Sequence, residues 1–276
     1  MFNLNVKMFD LKGNEHSTLD LPEIFNFPYR PEVIKKVYVN MDSHHYQKQG
    51  RYPAAGEIVS AESRNTGLGI ARLARAKGEG FSRAGQAAGV AGVRKGRLAH
   101  PPESWKITYK KINSKEKMIA LYSSISSTAI SELVKERGHI VNGIKSFPLI
   151  VTDEIENILK TKDLHAVLKS LGIEEDLDRV LNSIKRRSGK SKRRGRSNRI
   201  GKSIIIVTGK SDSQILKLDN SIPGVSVKYV KDLSVLDLAP GSKPIRLALF
   251  SESSINYLRE IKVPKQMLMN RLGQDE

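Results

Sequence analysis

Residues 203–207 read Ser-Ile-Ile-Ile-Val, a run of aliphatic β-branched residues with no polar alternation. A strand covered on one face alternates apolar with polar residues, and one covered on both does not. This run therefore belongs to a parallel sheet with helices on either side. The same pattern repeats outward from it. Arg246–Phe250 is a further apolar strand, after which Ser251, with Glu252 in the first turn, caps a helix through Ile255, Leu258 and Ile261. Residues 224–229 and Phe147–Val151 read as two more strands. Helices are expected after Thr152 or Asp153 (Ile155, Ile158 and Leu159 inward), over 161–171 closed by Gly172, and over 174–184.

Towards the N-terminus, Asn113 and Glu116 form a capping box for a helix of about six turns. Its apolar stripe runs Met118, Leu121, Tyr122, Ile125, Ala129, Ile130, Leu133, Val134, and Gly138 ends it. A short strand-like run, Trp105–Tyr109, precedes it, with Trp105 expected to pack inward. Residues 3–9 alternate, Leu4, Val6 and Met8 against Asn3, Asn5 and Lys7. A turn at Lys12-Gly13-Asn14 returns the chain antiparallel over Ser17–Leu21. Pro28 and Pro31 bracket a helix start, and Val33, Ile34, Val37, Tyr38 and Met41 keep helical spacing until near His44. Strands alternating with helices predict one α/β globular domain over 1–276, its sheet covered on both faces.

Two stretches break that alternation. Residues 44–102 lack apolar periodicity and are rich in Gly and Ala. They carry ten cations (Lys48, Arg51, Arg64, Arg72, Arg75, Lys77, Arg83, Arg94, Lys95, Arg97) against three acids, Glu57, Glu62 and Glu79. Such a segment lacks the apolar surface to offset the entropy of ordering itself. We expect a long extended basic loop within the domain, thin enough to thread between folded RNA helices, with Arg forks matching phosphate oxygens. Residues 185–202 (KRRSGKSKRRGRSNRIGK) hold ten more cations and no acid: Lys185, Arg186, Arg187, Lys190, Lys192, Arg193, Arg194, Arg196, Arg199 and Lys202. This run reads as a second, phosphate-docking loop.

Composition agrees. The chain of 276 residues has a formal net charge of +18, which points to nucleic acid or an anionic membrane surface. No long basic amphipathic helix and no apolar run of membrane-spanning length is present, and the alternating, acid-bearing N-terminus does not read as a signal peptide. Aromatic residues make up 6% of the chain, too few to favour a base-stacking platform. Without cysteine, thiolate zinc sites and disulfides are excluded. His44, His45 and His100 lack a third ligand in any metal-binding spacing, so no metal or cofactor is expected. Gly201-Lys202-Ser203 and Gly209-Lys210-Ser211 mimic the end of a phosphate loop, but the first precedes its strand and the second has Ile204 at the first glycine position. Gly67-Leu68-Gly69 begins a dinucleotide fingerprint that Arg72 breaks. Asp153 and Glu154 read as helix-start residues rather than catalytic carboxylates.

The wording of both basic stretches resembles a known family. RYPAAG (51–56), GIARLARAKGEGFSRAGQAAGV (69–90) and KGRLAHPP (95–102) are similar to the long loop of the universal large-subunit ribosomal protein four family, in its archaeal or eukaryotic form. RRSGKSKRRGR (186–196), IPGV (222–225), LDLAPG (236–241) and FSESSINYL (250–258) are similar to its C-terminal half. The resemblance implies a Rossmann-like α/β body and a structural, non-enzymatic role in the cytoplasmic ribosome. Its implied partners are large-subunit ribosomal RNA, neighbouring ribosomal proteins including the other tunnel protein, twenty-two, and the nascent chain. It further implies that the loop tip, at Arg83, Gly85, Gln86 and Val90, lines the polypeptide exit tunnel. The chain's ending soon after its last helix favours the archaeal form. The alternative is an α/β enzyme acting on a nucleotide or RNA, with the basic loops as clamps. That reading needs a nucleophile or perturbed acids in a cleft, and the sequence names none. A DNA-binding chromatin protein is a third reading, distinguished by indifference to folded RNA.

Overall fold

The computed structural model describes residues 5–261, so Asn3 and Leu4 of the expected first strand lie outside the described residues. The chain divides into two units, Met1–Asp42 with Lys110–Glu276, and Ser43–Tyr109. The first unit is a mixed α/β body. Strand β1 (Asn5–Phe9) buries Val6 and Met8 and exposes Asn5 and Lys7, as its alternation requires. It pairs antiparallel with β2 (Glu15–Asp20). Helix α1 (Pro31–Asp42) starts with Pro31 in its first turn, where a missing N–H costs nothing.

The second unit contains the short antiparallel pair β3 (Ala61–Ser63) and β4 (Ala74–Ala76) inside the stretch expected to be loop. Residues Trp105–Tyr109 form no strand, and Trp105 is 62% exposed rather than packed.

Back in the α/β body, the expected long helix is two, α2 (Ser114–Ser127) and α3 (Ser131–Glu136). The cause is the serine run. Ser124, Ser127 and Thr128 hydrogen-bond back to Ala120 O, Ser123 O and Ile125 O, competing with the helical ladder. Ser123 and Ser126 also reach out, to Pro28 O (3.0 Å) and Phe27 O (2.5 Å), and tie α2 to the approach of α1. Asn113 stands at the N-cap without a side-chain bond, and Glu116 pairs with Lys36 at 2.8 Å, so no capping box forms.

After β5 (Leu149–Val151) comes a single 3-10 turn, Asp153–Asn157, without a side-chain cap from Thr152. Helices α4 (Thr161–Ser170) and α5 (Glu174–Asn182) follow. The 185–202 run is locally structured: β6 (Lys185–Arg186), α6 (Gly189–Arg193) and β7 (Asn198–Arg199). Then come β8 (Ile205–Thr208), β9 (Ser226–Tyr229), α7 (Val235–Leu238), β10 (Ala248–Ser251) and α8 (Glu252–Glu260). Ser251 caps α8 as expected, its Oγ accepting from Ser254 N.

The main sheet runs β2-β1-β5-β10-β8-β9, parallel except for β2 at one edge. Alternate strand residues feed two apolar layers. Leu149, Ile206 and Leu249 face Leu164, Leu168 and Leu177 of α4 and α5. Ile150, Ile205 and Phe250 face Ile125 of α2 and Ile255 and Leu258 of α8. Both faces are therefore covered, which is why the Ile/Val run carries no polar residue.

Candidate nucleic-acid interface

The 185–202 run is built as a small stalk. Lys185 pairs with Arg199 and Arg186 with Asn198 in antiparallel register, and Arg187 N donates to Ser197 O (2.7 Å). Gly195, at φ +78°, turns the chain after α6 in a conformation that a side chain would strain. All ten cations are exposed except Arg187, which is half-buried. Among the described residues none of the ten has a carboxylate within ion-pair distance. Like charges this dense repel, and a polyanion relieves them.

The root of the stalk is held by a buried polar cluster that no sequence pattern announces. Asp176 of α5, fully buried, accepts from Ser203 Oγ (2.5 Å), Ile140 N (3.0 Å), Arg179 Nε (2.9 Å) and His139 Nδ1 (3.1 Å). Burial alone pushes its carboxyl pKa up, but the hydrogen bonds from His139, Arg179 and Ser203 outweigh that and hold it well below the usual range. Leu247 N–H faces His139 Nε2 (3.4 Å), which assigns the imidazole proton to Nδ1. Burial lowers the His139 pKa against the opposing pull of Asp176. Arg179 Nη2 also donates to Lys202 O (3.0 Å). Arg246, 2% exposed, donates to Ser203 O, Ile204 O (2.8 Å), Gly224 O (2.7 Å) and Ser226 Oγ (3.1 Å). It thereby stitches the starts of β8, β9 and β10. Burial brings its pKa down to about 10, so it remains charged at neutral pH. Serine, histidine and aspartate meet here, yet the aspartate sits between the other two and all three are buried, so no nucleophile is activated.

In the Ser43–Tyr109 unit the ten cations of the 44–102 stretch divide by role. Lys77 and Arg97 pair with Glu62 (2.6 Å) and Glu57 (3.6 Å). Arg51, Arg75 and Arg83 turn onto the carbonyls of Ala55, Gly85 (3.1 Å) and Arg94 (2.9 Å). The Nε atoms of Arg51 and Arg75 are buried without a partner among the described residues. The side chains of Lys48, Arg64, Arg72, Arg94 and Lys95 are exposed. Arg64, Arg75 and Lys77 converge on one cleft of about 760 Å³. Of the expected tip residues, Gly85 and Gln86 lie beside β4: Gly85 N donates to Ala76 O (3.2 Å) and Ala76 N to Gln86 O (2.9 Å). Val90 is half-buried, and a Cβ on Gly96 would overlap its carbonyl, which makes that glycine obligatory. The unit buries only Ala76 and Ala88 among its apolar residues, while Tyr52, Ile58, Leu68, Leu98 and Ile107 stay exposed.

The phosphate-loop mimics hold no phosphate cradle. Gly201–Ser203 leads into β8, and Gly209 N is already bonded to Glu156 Oε1 (2.8 Å). His44 lies edge-on to Tyr109, and no group of three or more potential metal ligands occurs among the described residues. No helix among them is long and apolar enough to cross a membrane.

Fold and site together define a strongly basic α/β protein with two cation-dense segments. The family model for the ribosomal protein L4/L1 family matches residues 19–261. The chain is 40% identical over 253 residues to the large ribosomal subunit protein uL4 of Sulfurisphaera tokodaii, covering 92% of this chain and 93% of that protein. It is 39% identical over 257 residues to the uL4 of Methanococcus vannielii, covering 93% and 99%. This chain belongs to the ribosomal protein L4/L1 family. The family is structural and not enzymatic, and both relatives are archaeal.

Proposed function

We propose that this protein is a structural constituent of the large subunit of the cytoplasmic ribosome and binds large-subunit ribosomal RNA. The observation that carries the reading is the 185–202 stalk, ten cations with no carboxylate partner among the described residues, on a chain of this family. Phosphates take the place of the absent acids, and affinity comes from the counterions they release. RNA shape rather than a base code sets the register. The α/β body is of Rossmann-like type and docks through the stalk. The 44–102 segment threads the RNA core, where its exposed cations meet phosphates and its exposed apolar residues are covered. Family resemblance adds that Arg83, Gly85, Gln86 and Val90 line the exit tunnel, near the nascent chain and protein twenty-two. The test is sedimentation of tagged protein with large subunits at moderate salt. Stable co-migration that survives washing is expected, and recovery only at the top of the gradient contradicts the reading.

A further inference from the structure

The two ends of the parallel strands in the α/β body differ in their balance of charge. At their amino ends lie the cation stalk before β8 and Lys243 before β10, with Asp219 and Asp237 within electrostatic reach of Lys202. At their carboxyl ends the chain runs into Asp10, Asp153, Glu156, Asp212, Asp232 and Glu252, with Lys210 and Lys231 among them. A crevice of about 470 Å³ opens at this acidic edge, lined by Glu156, Asn157, the 209–214 segment and Tyr229. It lies where the chain after β8 and the chain after β10 part to opposite faces: Ile215 and Leu218 pack in one apolar layer, Ile255 and Leu258 in the other. Such a parting at the carboxyl ends is where open α/β sheets hold ligands.

The chemistry of the walls selects a cation. Glu156 is 1% exposed. Its Oε1 accepts from Gly209 N, Ser251 Oγ and Ser253 Oγ, each at 2.8 Å. Its Oε2 is buried and has no partner among the described residues. A buried acceptor left open calls for a donor. An anion is disfavoured: the Gly209 N–H that would serve a phosphate is taken, Asp153 Oδ1 occupies Ser253 N (2.8 Å), and the wall sets two carboxylates, Glu156 and Asp212, against one ammonium, Lys210. The Lys231 ammonium lies 5.9 Å from the ring centroid of Tyr229 and 5.2 Å from that of Tyr257, so these rings already accept a cation. A guanidinium, planar and all donor, suits a carboxylate beside an aromatic wall. We propose that this crevice receives an arginine side chain from a basic polypeptide partner, on the edge of the α/β body away from the cation stalk.

The proposal does not rest on RNA binding, and either can fail alone. The test is amide NMR of the full chain titrated with acetyl-Gly-Arg-Gly-amide, with the same peptide carrying neutral citrulline, and with guanosine monophosphate. The arginine peptide alone should shift the Gly209, Ser211 and Ser253 amides saturably. Asp212→Asn and Tyr229→Ala should weaken that binding several-fold. Asp212 is exposed, so its variant keeps the test valid if the tyrosine variant fails to fold. Equal shifts with citrulline, shifts with the nucleotide alone, or no saturable shift overturns the proposal.

Discussion

Ser203 Oγ lies 2.5 Å from Asp176 Oδ2, and this hydrogen bond closes the neck of the cation stalk. Asp176 belongs to α5, from which the stalk departs, and Ser203 stands where the chain re-enters the sheet. Arg179 Nη2, from the same helix, holds Lys202 O at 3.0 Å. The stalk is thus presented from a fixed root rather than from a slack loop.

Removing the carboxylate should therefore be costly. Asp176→Ala leaves the Ile140 N–H, the Ser203 hydroxyl and the Arg179 guanidinium without their acceptor. Chemical denaturation should show a loss of about 3–5 kcal/mol, and Asp176→Asn a smaller one. A loss below about 1 kcal/mol would place the cluster among ordinary surface contacts.

The same cluster makes stability depend on pH. The pKa of His139 is lowered by folding, so below its ordinary value of about 6.5 the unfolded chain binds a proton that the folded chain refuses. Stability is complete above that pH and falls as pH drops below it. Asp176, also lowered, contributes a second loss of the same sign once pH falls below its ordinary value of about 4. Denaturation midpoints should decline from neutral pH downward, with the first part of the decline reduced in His139→Gln. A flat profile across both windows would contradict the assigned protonation states.

The α/β body should fold without residues 48–99. Every member of its three apolar clusters lies in Met1–Asp42 or Lys110–Glu276. Replacing 48–99 by a short Gly-Ser linker should leave a cooperative thermal transition. A molten, non-cooperative product would show that the segment supplies core.

Residues 50–97 should exchange amide hydrogens rapidly in the free protein and slowly in the assembled subunit. Ala76 and Ala88 alone are buried among their apolar residues, which gives the β3–β4 pair little to stand on. Slow exchange in the free protein would make the segment an independently stable domain.

The α/β body is legible where burial leaves a pattern. Burial on both faces removes polar alternation, so β8 and β10 can be read directly, and Ser251 marks the start of α8. The break between α2 and α3 is not legible, because serine hydroxyls can serve a helix or undo it and the outcome depends on the 27–30 segment reached in space. His139, Asp176 and Arg246 escape a reading by pattern because single buried polar residues carry no periodicity, and their partners lie far apart in the chain. The β3–β4 pair has only three residues a side, Ala-Glu-Ser against Ala-Arg-Ala, too short and small to signal a strand. At the candidate interface the cations can be counted from the sequence. Arg75 and Arg83 turning onto backbone carbonyls cannot be foreseen, since that depends on turns set by glycines.

The most direct test of the stalk's role is the salt dependence of binding to a large-subunit ribosomal RNA fragment, for the full chain and for the triple variant Arg193→Gln, Arg194→Gln, Arg196→Gln. These side chains are exposed and belong to none of the apolar clusters, so the fold should be unaffected. The variant should bind more weakly, and its slope of log K against log salt should be shallower by roughly 0.7–0.9 for each phosphate that is no longer neutralised. Unchanged affinity and slope would mean that the stalk is merely solvated and that the RNA is held elsewhere.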